Sequence, residues 1–232
     1  MKRAVILGGS RGIGAATVRR LAADGWQVDF TYNGSKDAAA ALADETGAAM
    51  AQVDSSDRQA IERYFETLGP IDAVIVSAGV AVAGNPLELA AEDVEAMIDL
   101  NIRGAYFAGV EAARQMNDNG RIVMIGSVSA DNAVGPGSAP YSMTKAALQG
   151  AVRGFARDFG ARGITANVVQ PGPVDTDMNP ADADFGKMLH NFMAIQRHAK
   201  AEEVAAMVAY LLSPEAAMVT GGTLDIDGGL SA

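Results

Sequence analysis

Tyr141 and Lys145 stand four residues apart in YSMTK, a spacing that puts a phenol and an ammonium side by side on one face of a helix. A free tyrosine, with a pKa of about 10, is a poor acid or base at neutral pH. A neighbouring cation favours the phenolate and brings proton exchange toward the working range. The pair suggests proton transfer to or from an oxygen, although alone such a pair is a weak signal. Ser127 closes the apolar run RIVMIGS shortly before it. A hydroxyl there could bind a carbonyl and steady the oxyanion as it develops. Asn101, in DLNIRGAYF, is the fourth candidate, able to hold a water near Lys145.

A second cluster points to phosphate. Gly8-Gly9-Ser10-Arg11-Gly12-Ile13-Gly14 follows an apolar run and opens a helical segment. Glycines let the backbone approach a ligand where unpaired N–H groups and the positive end of a helix dipole favour an anion. Gly8, Ser10, Arg11, Gly12, Ile13 and Gly14 are the candidate contacts. The spacing is G-x-x-x-G-x-G rather than G-x-G-x-x-G, with Thr17 in the third place after Gly12 and Gly14. The plain alternative is a tight turn that binds nothing. Nucleotide choice depends on the tip of the second strand, Tyr32-Asn33-Gly34-Ser35-Lys36, where an acidic side chain would bind a ribose 2′-hydroxyl and repel a 2′-phosphate. Asp29, the nearest acid, lies three residues back inside the strand and is expected to face away. Tyr32, Asn33, Ser35, Lys36 and Arg11 there imply NADP(H) rather than NAD(H), unless Lys36 only caps the solvent face of its helix.

These residues need a frame. Apolar runs at Lys2–Leu7, 28–32, 48–53, 71–79, 121–127, 163–171 and 223–227 alternate with helical patterns at Gly12–Ala23, Lys36–Thr46, Asp57–Leu68, Ala91–Met116, Ala139–Ala161 and Glu202–Leu212. Such alternation predicts an α/β chain: a parallel sheet of about seven strands with helices on both faces. With no long linker and no internal repeat, residues 1–232 read as one doubly wound (Rossmann) domain whose ligands bind at the carboxyl edge of the sheet.

Composition limits the alternatives. There is no cysteine, which excludes disulfides, thiolate metal sites and a cysteine nucleophile, and there are only two histidines, His190 and His198. A net charge of −10 argues against a broad nucleic-acid or anionic-membrane surface. No stretch approaches a membrane span, and the opening apolar run is too short for a signal peptide, so a cytoplasmic protein is expected.

Together, GGSRGIG, the Asn101 segment, Ser127, YSMTK, QPGPVDTDM and the C-terminal TGGTLDIDGG resemble the short-chain dehydrogenase/reductase family along the whole chain. Within it the wording is similar to bacterial 3-oxoacyl-carrier-protein reductases. Through TYNGSKDAAA, GVEAARQM and FMAIQRHAKAEEVA it is also similar to a cyclic-di-GMP-binding member that mediates biofilm dispersal. The resemblance implies an oxidoreductase in which nicotinamide hydride reaches a carbonyl carbon while Tyr141 protonates the oxygen. Lys145 would lower the tyrosine pKa and touch the nicotinamide ribose, Ser127 would position the carbonyl, and Asn101 would support a water relay. No metal is implied. Asp54 and Ser55 would meet the adenine, Ser77, Ala78 and Gly79 its ribose, and Pro171, Gly172, Val174 and Thr176 the nicotinamide end. The resemblance also implies a homotetramer built on the Ala91–Met116 and Ala139–Ala161 helices, where Gly104, Ala105, Ala108 and Ala112 would allow close packing, together with the last strand. Residues 179–200 would form a short lid, with Met178, Met188, Phe192 and Met193 lining an apolar pocket, and His198 is expected to be a structural surface residue. The second reading, a cyclic-di-GMP binder on a reductase scaffold, would place the ligand phosphate on the glycine loop. Leu7 stands where the family usually has threonine, and Val76-Ser77-Ala78-Gly79 replaces Asn-Asn-Ala-Gly, so two loop braces are missing. Thirteen residues separate Ser127 from Tyr141, one more than usual; Ser129 would leave one too few, and Ser127 is preferred because it ends its strand.

Overall fold

The structure, a computed structural model, describes residues 1–133 and 135–232, with Phe185 described by its backbone alone. Seven strands, β1 (Arg3–Leu7), β2 (Gln27–Tyr32), β3 (Ala49–Gln52), β4 (Ile71–Val76), β5 (Met116–Ile125), β6 (Thr165–Pro171) and β7 (Thr223–Ile226), form one sheet in the order β3-β2-β1-β4-β5-β6-β7. Every pairing is parallel. The order reverses between β1 and β4, which opens a crevice at their carboxyl ends.

Alternation along the strands explains the two-faced core. Val5 and Leu7, with Val74, Val76, Ile122 and Met124, pack under one helical layer: α3 (Arg58–Glu66), α5 (Ala105–Gln115) and α6 (Ala139–Phe159). Ala4 and Ile6, with Phe30, Ile75 and Val123, pack under the other: α1 (Gly12–Ala23), α2 (Lys36–Thr46) and α8 (Ala201–Leu212). Each fully buried Leu, Ile or Val contributes roughly 1.5–3 kcal/mol, so both faces of β1 hold the strand that delivers the glycine loop. Among the described residues no helix is long and apolar enough to cross a membrane.

Three local features differ from the sequence expectation. The Ala91–Met116 helix is not uniform: α4 (Ala91–Ile98) passes through a π-helical turn, Asp99–Gly104, before α5 begins. Its small residues Ala105, Ala108 and Ala112 are buried inside this chain, so they serve the core under α5 and not a partner helix. Strand β5 starts early, at Met116, which pairs with Ile71 of β4 ahead of a register shift, while Arg162 donates Nη1 to Ala113 O at 2.7 Å and Nη2 to Met116 O at this junction. The segment 179–200, expected as a lid, contains a short helix, α7 (Asp184–His190).

Candidate active site

At the end of β1, Leu7 O accepts the N–H groups of Ser77 and Ala78, both at 2.9 Å, tying the tip of β4 to the glycine loop. Gly8 has φ +78°, and a Cβ there would stand 2.6 Å from Ala78 Cα; only glycine meets both demands. The loop does have a side-chain brace, supplied from β2: Gly8 N–H donates to Thr31 Oγ1 at 3.1 Å, beside Gly9 N–H to Thr31 O at 2.9 Å. Thr31 therefore serves where Leu7 cannot. Arg11, in extended backbone, begins α1 without a side-chain cap, and the first turn holds no acidic residue. No side-chain cap and no acidic residue of the first turn itself competes with an anion for its N–H groups. Thr176 Cγ2 lies 3.3 Å from the Cβ position of Gly12, and Arg11 Nη1 reaches Asp177 Oδ2 at 3.6 Å, so the segment after β6 closes over Ser10–Gly14.

Asp29 is buried and held by Arg3 through two bonds, Nε to Oδ2 at 2.7 Å and Nη2 to Oδ1 at 2.9 Å. Its charge is spent away from the β2 tip. Tyr32 is buried there, Asn33 and Lys36 are exposed, and Ser35 begins α2 with its hydroxyl unused as a cap. The neighbouring corner is shaped by Asp54, whose Oδ1 accepts both Ser56 N–H and Ser56 Oγ–H. Buried Ser55 presents its carbonyl oxygen to Gly104, where a Cβ would collide with it. The π turn thus links this corner to Asn101.

Asn101 is almost fully buried. Its Nδ2 donates to Val80 O at 2.8 Å and to Thr144 Oγ1 at 3.1 Å, while Oδ1 accepts Val80 N–H at 3.0 Å. Both amide hydrogens go to the chain, leaving a lone pair of Oδ1 for a water. A Cβ on Gly79 would stand 3.2 Å from Asn101 Oδ1 and 3.4 Å from Lys145 Nζ; glycine there leaves that approach open.

Lys145 is buried, donates Nζ to Ile125 O at 3.0 Å, and lies 5.7 Å from the centre of the Tyr141 ring. Burial pulls its pKa down to about 8. Tyr141 behaves differently from the sequence expectation. Its pKa is raised, because burial of the phenolate outweighs the downward pull of the nearby Ser127 side chain. Ser127 opens a one-turn 3₁₀ segment, Val128–Ala130, and its Oγ accepts Ser129 N–H at 3.1 Å. Of the two serines it is Ser127 whose side chain acts on the Tyr141 phenol, and Ser129 supplies a backbone brace.

After β6, Gly172 N–H donates to Ile226 O at 3.1 Å, and Val174 is buried in a bridge to Ala199. The expected apolar pocket wall divides. Met178, Met188 and Phe192 are exposed, whereas Met193 is buried with its Cε against Gly228. His198 is not a surface residue: it is buried and shares a 2.6 Å hydrogen bond with His190 across the end of α7.

A dinucleotide fits these residues: the anion-ready start of α1, a β2 tip without a free carboxylate, and an open approach at Gly79 beside a buried ammonium. Together with the parallel sheet they define a dinucleotide-binding oxidoreductase. A family model described as enoyl-(acyl carrier protein) reductase matches residues 8–231, and the chain belongs to the short-chain dehydrogenase/reductase family. It is 55% identical over 231 residues, 100% of this chain and 98% of the relative, to the cyclic-di-GMP-binding biofilm dispersal mediator protein of Escherichia coli K12. It is 34% identical over 233 residues, 97% of this chain and 91% of the relative, to the 3-oxoacyl-[acyl-carrier-protein] reductase MabA of Mycobacterium tuberculosis H37Rv. The crystal structure of BdcA in complex with NADPH superposes with a TM-score of 0.97 at 55% identity, covering 98% of this chain and 93% of that one.

Thr31, Val80, Thr144 and the π turn were not singled out from the sequence. Thr144 lies inside YSMTK, and Thr31 is the last-but-one residue of β2; a search for a hydroxyl facing Gly8 N–H would have found the latter.

Proposed function

We propose that this protein is an NADPH-dependent carbonyl reductase with Tyr141 as proton donor. One observation carries the reading: Lys145 Nζ, bonded to Ile125 O at the carboxyl end of β5, lies 5.7 Å from the ring centre of Tyr141, the phenol on which the Ser127 side chain acts, beside the crevice that the glycine loop borders. Gly8, Ser10, Arg11, Gly12, Ile13 and Gly14 would hold the pyrophosphate, and Tyr32, Asn33 and Ser35 the 2′-phosphate. Asp54, Ser55, Ser77, Ala78 and Gly79 would hold the adenosine side, and Pro171, Gly172, Val174 and Thr176 the nicotinamide side. When bound, the dinucleotide supplies hydride to the carbonyl carbon.

The chain's own residues handle the proton. Burial keeps the Tyr141 phenol protonated at neutral pH, which suits a group that must donate to an oxygen as negative charge gathers there. Ser127 holds the same oxygen through its hydroxyl. Lys145, still mostly charged at neutral pH with a pKa of about 8, lies beside the donor, and the Oδ1 lone pair of Asn101 holds the water that returns a proton. The product is an alcohol. NADPH oxidation with ketones and 3-oxoacyl thioesters tests this, with Tyr141→Phe expected to lose roughly 100-fold or more in kcat. No oxidation across the panel, or undiminished turnover in that variant, overturns it.

The 55% identity to a protein named for cyclic-di-GMP binding favours a second reading, in which the Arg11 loop also takes that dinucleotide and NADPH competes for it. Calorimetry with cyclic di-GMP, with and without saturating NADPH, decides; absent heat in both titrations removes it. The wider reading is a cytoplasmic homotetramer of a single domain, residues 1–232, with a lid over 179–200. Exposed Tyr106 on α5 and Met143 on α6 supply apolar surface for such an assembly, which light scattering checks.

A further inference from the structure

Behind the Ser127 turn lies a polar cluster on four elements. Asp131 follows that turn, and its Oδ2 accepts Gln149 Nε2 from α6 and Gln170 Nε2 from β6, both at 2.8 Å. Gln149 Nε2 also donates to Gln170 Oε1 at 2.9 Å, and Gln170 Nε2 to Asp225 Oδ1 of β7 at 2.9 Å. Both glutamines are buried, at 8% and 1% exposure. All four amide hydrogens therefore have acceptors, and the amide orientations follow from chemistry: a flipped Gln170 would turn its oxygen toward two carboxylates.

The placement of Gln149 gives the cluster a consequence at the site. It stands four residues after Lys145 and eight after Tyr141, along the same side of α6. The turn is held internally by Ala130 N–H to Ser127 O at 2.9 Å and Asp131 N–H to Val128 O at 3.1 Å. Asp131 ties it to α6 at Gln149, and at its other end the Ser127 side chain lies close enough to Tyr141 to act on the phenol. Chain continuity with β5 alone would leave the turn a hinge, whereas the Asp131 bonds are a second fixed point that sets its orientation on the helix. Buried amides bonded to a carboxylate make the second attachment a charge-assisted one.

We propose that Asp131, anchored by Gln149 and Gln170, is a positioning residue that sets the Ser127 hydroxyl against Tyr141. The inference rests on the reading of Ser127 and Tyr141 as the reacting pair. Asp131→Ala and Gln149→Leu are each measured alone and combined with Ser127→Ala. Each single variant is expected to lower kcat about tenfold, the order expected for a small misplacement of reacting groups, with KM for NADPH within about twofold. In the Ser127→Ala background neither change should cost anything further, because the group being positioned is gone. Unchanged kcat in Asp131→Ala, or a full additional loss on top of Ser127→Ala, overturns the proposal.

A second readout needs no turnover. With ¹³Cζ-tyrosine, the Tyr141 resonance, assigned by its loss in Tyr141→Phe, should move in Asp131→Ala in the same direction as in Ser127→Ala. A Tyr141 resonance unmoved in Asp131→Ala sinks the positioning role even if the enzyme is active. A wild type that oxidises no NADPH sinks the reductase reading and leaves this resonance to decide the positioning role. Asp131 is exposed, so its truncation keeps the test valid if Gln149→Leu fails to fold.

Discussion

Lys145 Nζ donates to the carbonyl oxygen of Ile125 at 3.0 Å, so the ammonium of the site is fastened to the strand that leads to Ser127. The arrangement buries a charge, and the fall from 10.5 to about 8 corresponds to about 3 kcal/mol of folding free energy at neutral pH. Lys145→Met is expected to recover most of that, less about 1 kcal/mol for the carbonyl left without its donor. The net gain should raise the melting temperature by several degrees while turnover is lost. In the wild type the folded pKa lies below the unfolded one, so between pH 8 and about 10.5 the unfolded chain holds a proton that the folded chain has shed. Stability should therefore gain a favourable contribution from this lysine across that window. Thermal melts of both proteins from pH 7 to 10 check the sign, and a variant less stable than the wild type at pH 7 would contradict it.

The same titration should mark the rate. Tyr141 keeps its proton past neutrality, while Lys145 loses its charge near pH 8. For ketone reduction, kcat/KM is expected to be level below that pH and to fall above it. Lys145→Arg, which stays charged, should move the falling limb upward even where its level is lower. An unchanged limb in Lys145→Arg would assign it to another group.

Thr31 Oγ1 is the side-chain brace of Gly8 N–H. Thr31→Val keeps the shape and removes the acceptor, which should cost about 1–3 kcal/mol of stability and raise KM for NADPH several-fold. Thr31→Ser should restore both. Chemical unfolding and saturation kinetics on the three proteins provide the comparison.

The His190–His198 bond needs one ring to offer a lone pair. Burial first, and then the charge of His190, lower the His198 pKa below its ordinary value, against a smaller upward pull from Asp175. A base whose folded pKa is depressed gives its full stabilisation above the unfolded pKa of about 6.5 and loses it as the pH falls from there. Melting temperature should thus drop between pH 7 and 5, and His198→Gln should show a flatter profile. Equal slopes in the two proteins would remove the pair as the cause.

Chemistry that is local in the chain was legible from the sequence. The glycine loop occupies seven consecutive residues, Tyr141 and Lys145 share a helical face, and the position of Asp29 inside β2 already argued that its carboxylate is absent from the tip. What escaped were relationships between segments. Thr31 reaches Gly8 and Gln149 reaches Asp131 across 23 and 18 residues, and no periodicity encodes such meetings. The π turn DLNIRG carries no spacing that marks it off from an ordinary helical segment, so it shows only in the fold, where the Asn101–Val80 bonds and the Ser55 carbonyl pressed on Gly104 accompany it. His198 was expected at the surface because nothing in its neighbours shows that Gly186, lacking a Cβ, leaves room for its ring.

The glycine loop is held in its shape by the chain's own packing. Gly8 abuts Ala78, Gly9 abuts Phe30, and Gly14 lies against the carbonyl of Gly8, so neighbouring backbone and an aromatic ring hold each in place. Ordering a backbone residue costs about 1–2 kcal/mol of conformational entropy, and here folding itself has met that cost. Association with a dinucleotide then spends its enthalpy on the phosphates and not on arranging the loop. Calorimetrically, the entropy of binding should carry little of the penalty that marks a disordered loop closing on its ligand.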